Sequence, residues 1–148
     1  MATEKLNSDS IIKKLNDLVE LDYDAIEAYQ AAVDRLDDTG FKSKLQEFMK
    51  DHERHVRELS EQIRTEGGTP PDSGDAKAVL TKGKVVMADM AGDKAILKAM
   101  QTNEAQTNSK YEDAVEEAFP ENVLTLLRNA LNDERKHKAW IDQTLDKL

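Results

Sequence analysis

Apolar residues recur at steps of three and four along four stretches of the chain. Leu15, Leu18, Ala25, Tyr29, Ala32 and Leu36 form the first series, and Leu45, Phe48 and Leu59 the second. Leu97, Met100, Tyr111, Ala114 and Ala118 form the third, and Val123, Leu127, Ala130 and Ile141 the fourth. Such spacing puts each series on one face of a helix, turned toward a shared interior. The pattern predicts helices from about Ile11 to Leu36, Phe41 to Thr65 and Asp93 to Phe119, with a fourth from Pro120 to the C-terminus. Polar "NSDS" suits the first start, "DDTG" separates the first pair, "EGGTPPDSG" ends the second helix and "GD" precedes the third.

Short links make two antiparallel hairpins, 11–66 and 93–148. The long connection between them, 67–92, lets the third helix run parallel to the second. Its stretch "DAKAVLTKGKVVMADM" reads as a shorter crossing helix. The expectation is one all-α domain over residues 1–148, a four-helix bundle with a single crossover.

Each inner stripe is broken near mid-helix by titratable groups: Asp22; His52 with His55; Glu104; Glu134 with His137. All three histidines of the chain are among them. A shift of 82 residues, the interval from His55 to His137, superposes these interruptions. Asp22 falls on Glu104, Tyr29 on Tyr111 and His52 on Glu134, with Leu15/Leu97, Ala32/Ala114 and Leu45/Leu127 also in register. Off the stripes the halves mostly disagree. Two similar hairpins about a pseudo-twofold axis would bring "DHERH" (51–55) and "DERKH" (133–137) to one height, as halves of one site.

Composition narrows what that site can be. With no cysteine in 148 residues, disulfides, thiolate metal sites and iron–sulfur clusters are excluded. A net charge of −9 offers no basic face for nucleic acid. No apolar run is long enough to span a membrane, and "MATEKLNSDS" lacks the apolar core of a signal peptide, so a cytoplasmic protein is expected. Residues three apart on a helix share a face, with Cβ atoms about 5–6 Å apart, so a carboxylate and an imidazole so placed can reach one cation. Three acids and three histidines in a dry core cost several kcal/mol per unpaired charge, roughly, which a divalent ion offsets. Nitrogen-plus-oxygen ligation suits iron, manganese or zinc. The same groups can also satisfy one another as a hydrogen-bonded network that fixes bundle register, and both readings stand at this point.

These features resemble the ferritin-like superfamily of bacterioferritin, rubrerythrin and ferritin. There, a Glu from each of two helices joins an E-x-x-H pair from each of the other two around a dimetal centre. Glu104 with Tyr111, and "ERKHKAW" carrying Glu134, His137 and Trp140, match that pattern, the tryptophan as in bacterioferritin. In the first half Asp22 stands for the usual Glu and His52 for the helix-two glutamate, while His55 matches the motif histidine. "GGTPPDSG" and "MAGDKAIL" look more like a little-characterised bacterial family of small ferritin-like bundles. The resemblance implies a ferritin-like fold with Asp22, His52, His55, Glu104, Glu134 and His137 as metal ligands, and Tyr29 and Tyr111 bonded to ligand carboxylates. It also implies iron as the metal and, if the chain is catalytic, Fe(II) oxidation by oxygen or peroxide. Three carboxylates and three imidazoles in place of four and two leave a mononuclear site and an asymmetric pair both open.

The rival reading is a non-catalytic bundle serving stress response or protein interaction through its acidic face. Metal ions are the expected partners, and a monomer or small homo-oligomer the expected assembly. Asp51, Glu53 and Asp133 lie beside the stripes and read as a solvated face. Trp140 reads as packing, and Met87, Met90 and Met100 as gap-fillers.

Overall fold

The structure is a computed structural model, and it describes residues 4–74 and 92–148. Four helices appear in order: α1 (Ser8–Arg35), α2 (Thr39–Thr65), α3 (Asp93–Val115) and α4 (Glu121–Asp146). The crossing helix expected at 75–90 lies outside the described residues.

Helix ends fall where side chains can satisfy free backbone groups. Asn7 accepts from the Ser10 amide and opens α1 three residues before the apolar pattern begins. Asp38 does the same for α2 by accepting from the Phe41 amide. At the end of α2, Gly67 N–H reaches the Arg64 carbonyl and Gly68 N–H the Ile63 carbonyl, a Schellman closure with Gly67 at φ 91°. Helix α3 stops at Val115, short of the expected Phe119. The chain there turns to bury Phe119 completely ahead of Pro120, whose missing N–H suits the start of α4.

Contacts between chain ends fix the topology. The Leu6 amide donates to the Ala118 carbonyl, so α3 finishes beside the start of α1. Asp93, in the first turn of α3, accepts from the amides of Asp37 and Asp38, so α3 begins beside the α1–α2 link. Helix α3 therefore runs antiparallel to α1 and parallel to α2. The end of α2 and the start of α3 thus lie at opposite ends of the bundle, about 40 Å for a helix of 27 residues. Helix α1 packs on α2 and α3, and α4 packs on α3 and less extensively on α2.

The apolar interior is split in two. One cluster includes Ile11, Leu15, Leu59, Phe119, Val123 and Leu127, and the other Leu36, Leu45, Phe48, Leu97, Met100 and Ile141. Between them lies a layer of buried polar side chains. Outside, Leu148 is the one large hydrophobic exposed among the described residues.

Gly67 occupies a backbone region that costs other L-residues about 1–2 kcal/mol. Gly67→Ala should lower stability by roughly 1 kcal/mol, read as a lower urea midpoint with an unchanged slope. An unaltered midpoint would show that the closure contributes nothing.

Candidate metal centre

The polar layer is built by all four helices at mid-length. Helix α1 contributes Asp22, α2 His52 and His55, α3 Glu104, and α4 Glu134 and His137. Each is at most 3% exposed. The six positions read as stripe interruptions thus meet at one depth.

They form two interlocked groups. One nitrogen or oxygen from each of Asp22, His52, His55 and Glu134 lies within 4.8 Å of the others, and the same holds for His52, Glu104, Glu134 and His137. In the first group Asp22 Oδ1 is 2.7 Å from His52 Nδ1 and 3.2 Å from His55 Nδ1, while Glu134 Oε1 is 3.4 Å and 3.5 Å from the same nitrogens. In the second, Glu104 Oε1 is 3.5 Å from His52 Nε2 and 3.4 Å from His137 Nδ1. His52 and Glu134 belong to both. His52 turns one ring nitrogen to each group, and Glu134 also approaches His137 Nδ1 through Oε2, at 3.7 Å.

The surroundings repeat the twofold. Tyr29 donates to Glu104, and Tyr111, 82 residues on, donates to Asp22. The reading of Asp51 and Asp133 as a solvated face is corrected here. Asp51 Oδ2 is 2.8 Å from His137 Nε2, and Asp133 Oδ2 is 2.9 Å from His55 Nε2. Each aspartate crosses between α2 and α4 to hold the outer nitrogen of the opposite histidine, so that its Nδ1 faces inward. Only Glu53 of that trio is exposed. The sequence carried a signal, an aspartate four residues before the histidine in both "DHERH" and "DERKH".

Among the other supporting groups, Thr107 follows Glu104 by three residues on the same helix face, whereas Asn108 and Arg54 carried no such signal. The Thr107 hydroxyl lies 3.1 Å from Glu104 Oε2 and 2.9 Å from Glu134 Oε2. Asn108 Nδ2 donates to the carbonyls of Glu104 and Glu134, tying α3 to α4. Arg54 pairs with Asp51, Glu58 and Asp133. Trp140 is half-buried against Phe48 and Phe41, and Met100 is fully buried in the apolar cluster.

Charges in the layer hold one another. Burial opposes ionisation of Asp22, but hydrogen bonds from His52 and His55 outweigh it and keep the carboxyl below its ordinary range. Burial likewise opposes Glu104, and His137 and His52 hold it down. Desolvation works against the imidazolium of His55, yet Asp133, Asp22 and Glu134 raise it to about 11. For His137 the same contest, won by Asp51, Glu104 and Glu134, gives about 9. Burial, and then the charges of Glu104 and Asp22, push the Tyr29 and Tyr111 hydroxyls up, so both stay donors.

His52 Nε2, Glu134 Oε1 and His137 Nδ1 are buried with no hydrogen-bond partner. An orphaned buried polar atom is costly, and a cation that takes lone pairs from nitrogen and oxygen removes the cost. The donor set therefore fits a transition-metal ion.

The fold is that of the ferritin-like four-helix bundles. A structure from Bacillus anthracis str. Ames, described as ferritin-like diiron-carboxylate proteins, superposes with a TM-score of 0.75 at 21% identity, covering 96% of this chain and 99% of that one. The bacterioferritin-related protein of Bacteroides fragilis, described as a dodecameric thioferritin, gives 0.78 at 15% identity, covering 97% of this chain and 88% of that one. The DPS protein of Vibrio cholerae O1 gives 0.74 at 15%, covering 98% and 99%. A family model described as "Domain of unknown function (DUF2383)" matches residues 10–117, and the chain belongs to that family. The match ends before α4, which carries Glu134 and His137. No curated protein matches the chain.

His55 at about 11 and His137 at about 9 lie above the value for an unfolded-chain histidine, roughly 6.5. The stability their protonation gives is complete below about pH 6.5 and is lost as pH rises through those folded values. Thermal melts of chelator-treated protein should therefore show Tm falling from pH 6.5 to 9.5. A flat profile would mean that the layer holds neutral imidazoles.

Proposed function

We propose that this chain is a metal-binding protein that takes up iron, as a pair of ions or one, through Asp22, His52, His55, Glu104, Glu134 and His137. Manganese and zinc suit the same donors. The observation that carries the reading is the pair of interlocked donor groups sharing His52 and Glu134. Bound iron would supply the electrons for reducing oxygen or peroxide, so the activity proposed is oxidation of Fe(II). The chain's own residues hold and orient. Asp51 and Asp133 fix the histidine rings with Nδ1 inward, and Tyr29 and Tyr111 hold the carboxylates of Glu104 and Asp22. Two apolar clusters above and below keep bulk water from the layer. With a single exposed large hydrophobic among the described residues, we infer a monomer or small oligomer.

A second reading has its own observation. The Asp22–His52 and Asp22–His55 contacts satisfy charges without metal, as a bundle with a purely structural polar core would need. Such a protein would act by meeting a partner through its acidic surface.

Anaerobic Fe(II) addition to chelator-treated protein, followed by metal analysis and exposure to air, separates the two. Metal ligation predicts saturable uptake and a ligand-to-metal absorption band on oxidation, lost in His137→Ala. Glu134→Ala should weaken Fe(II) binding by at least about tenfold, as loss of a shared charged donor does, while exposed Glu53→Ala should leave it within about twofold. Equal effects of the two substitutions, or no uptake at saturating protein, would overturn the metal reading.

A further inference from the structure

A centre buried this deeply needs a way in, and the two sides of the pseudo-twofold differ in whether they leave one. Between α2 and α4 lies a groove of about 460 Å³ lined by Arg54, His55, Glu58, Asn129, Ala130 and Asp133, among others. Of the six residues of the polar layer, only His55 lines it. On the other side, 82 residues away in register, Phe48 stands where this side has Ala130, and Trp140 where it has Glu58. The Phe48 ring stacks on His137 with centroids 4.3 Å apart, and Trp140 packs on Phe48 at 5.7 Å. Two aromatic rings thus seal the approach to His137, whereas a methyl group and a carboxylate leave the approach to His55 open.

What stands across the open side is one side chain. Arg54 Nε is 3.1 Å from Glu58 Oε1, its Nη1 is 3.3 Å from Asp51 Oδ1, and its Nη2 pairs with Asp133. Three carboxylates thus gather on one guanidinium across the mouth. The arginine side chain is 40% exposed and held only by ion pairs of modest strength, so it can swing aside without any helix moving. Behind it, Asp133 and His55 touch at 2.9 Å, and the far nitrogen of His55 faces Asp22 and Glu134.

We propose that this groove is the route by which a divalent cation enters and leaves the buried layer, and that Arg54 is the bar across it. Rates of passage are then set by the groove and by Arg54 across it. This rests on the metal-binding reading for what passes, but not for whether His55 can be reached.

Co(II) uptake by the chelator-treated chain, followed by stopped-flow absorbance, and Co(II) extraction by excess chelator test the proposal. Arg54→Gln should speed Co(II) uptake by about fivefold, the scale of losing exposed ion pairs. Asn129→Trp, at an exposed groove position, should slow uptake and extraction alike by about tenfold with unchanged stoichiometry, as steric closure of a path does. Gln30→Trp, in a separate surface groove beside α1 and α2, should change neither. A second readout needs no metal. A thiol reagent such as DTNB should label His55→Cys, the single thiol of a chain that has no cysteine, faster when Arg54→Gln is added and slower when Asn129→Trp is added. Unchanged rates in both variants, or a shifted Kd in place of shifted rates in Asn129→Trp, would overturn the route. Wild-type protein that takes up no Co(II) would remove the metal reading, and thiol labelling at position 55 would then decide the route alone.

Discussion

Burying charge in the middle of a helical bundle is tolerated only when each charge finds its opposite, and that constraint organises this molecule. Three carboxylates and three imidazoles occupy one layer with almost no water contact. Any one left alone would cost several kcal/mol, roughly, so the six must be brought together and held in fixed orientation. The helices accordingly meet at the height where these groups fall, and the apolar residues divide into a cluster on each side. The bundle's register follows from its polar layer as much as from its hydrophobic packing.

A second tier of groups makes that layer directional. Imidazole has two nitrogens, and which one faces inward depends on what holds the other. Asp51 and Asp133 settle this by reaching across from α2 to α4 and from α4 to α2. Arg54 in turn contacts both aspartates, so one guanidinium on the surface is linked to both halves of the interior. The tyrosines do for the carboxylates of Asp22 and Glu104 what the aspartates do for the histidines. Orientation therefore passes from the half-exposed rim to the buried donors through short, charge-assisted contacts.

The repeat is close where packing demands it and broken where the two sides differ in exposure. Tyr29 and Tyr111 or Asp51 and Asp133 keep their chemistry, because both copies face the same interior. Phe48 and Ala130, or Trp140 and Glu58, do not, because one side is closed by rings and the other opens to solvent. At the centre itself His52 answers Glu134. A ring with a nitrogen on each edge and a carboxylate with two oxygens are different means of touching both donor groups.

Much of this was legible along the chain. Periodicity set the four helices to within a few residues, since an apolar stripe at steps of three and four can bury itself in only one way. The six interruptions could be named because a charged group on such a stripe must point inward with it. Asp51 and Asp133 could not be placed that way. They sit off the stripe, and their shared place four residues before a histidine marks a repeat without telling that each carboxylate crosses to the histidine of the other helix. The cross-pairing, the clasp of Arg54 and the difference between a sealed and an open side are contacts between residues far apart in sequence. They are fixed only when α2 and α4 come side by side, so the chain determined which groups are buried, and the packing of its helices decided which of them touch.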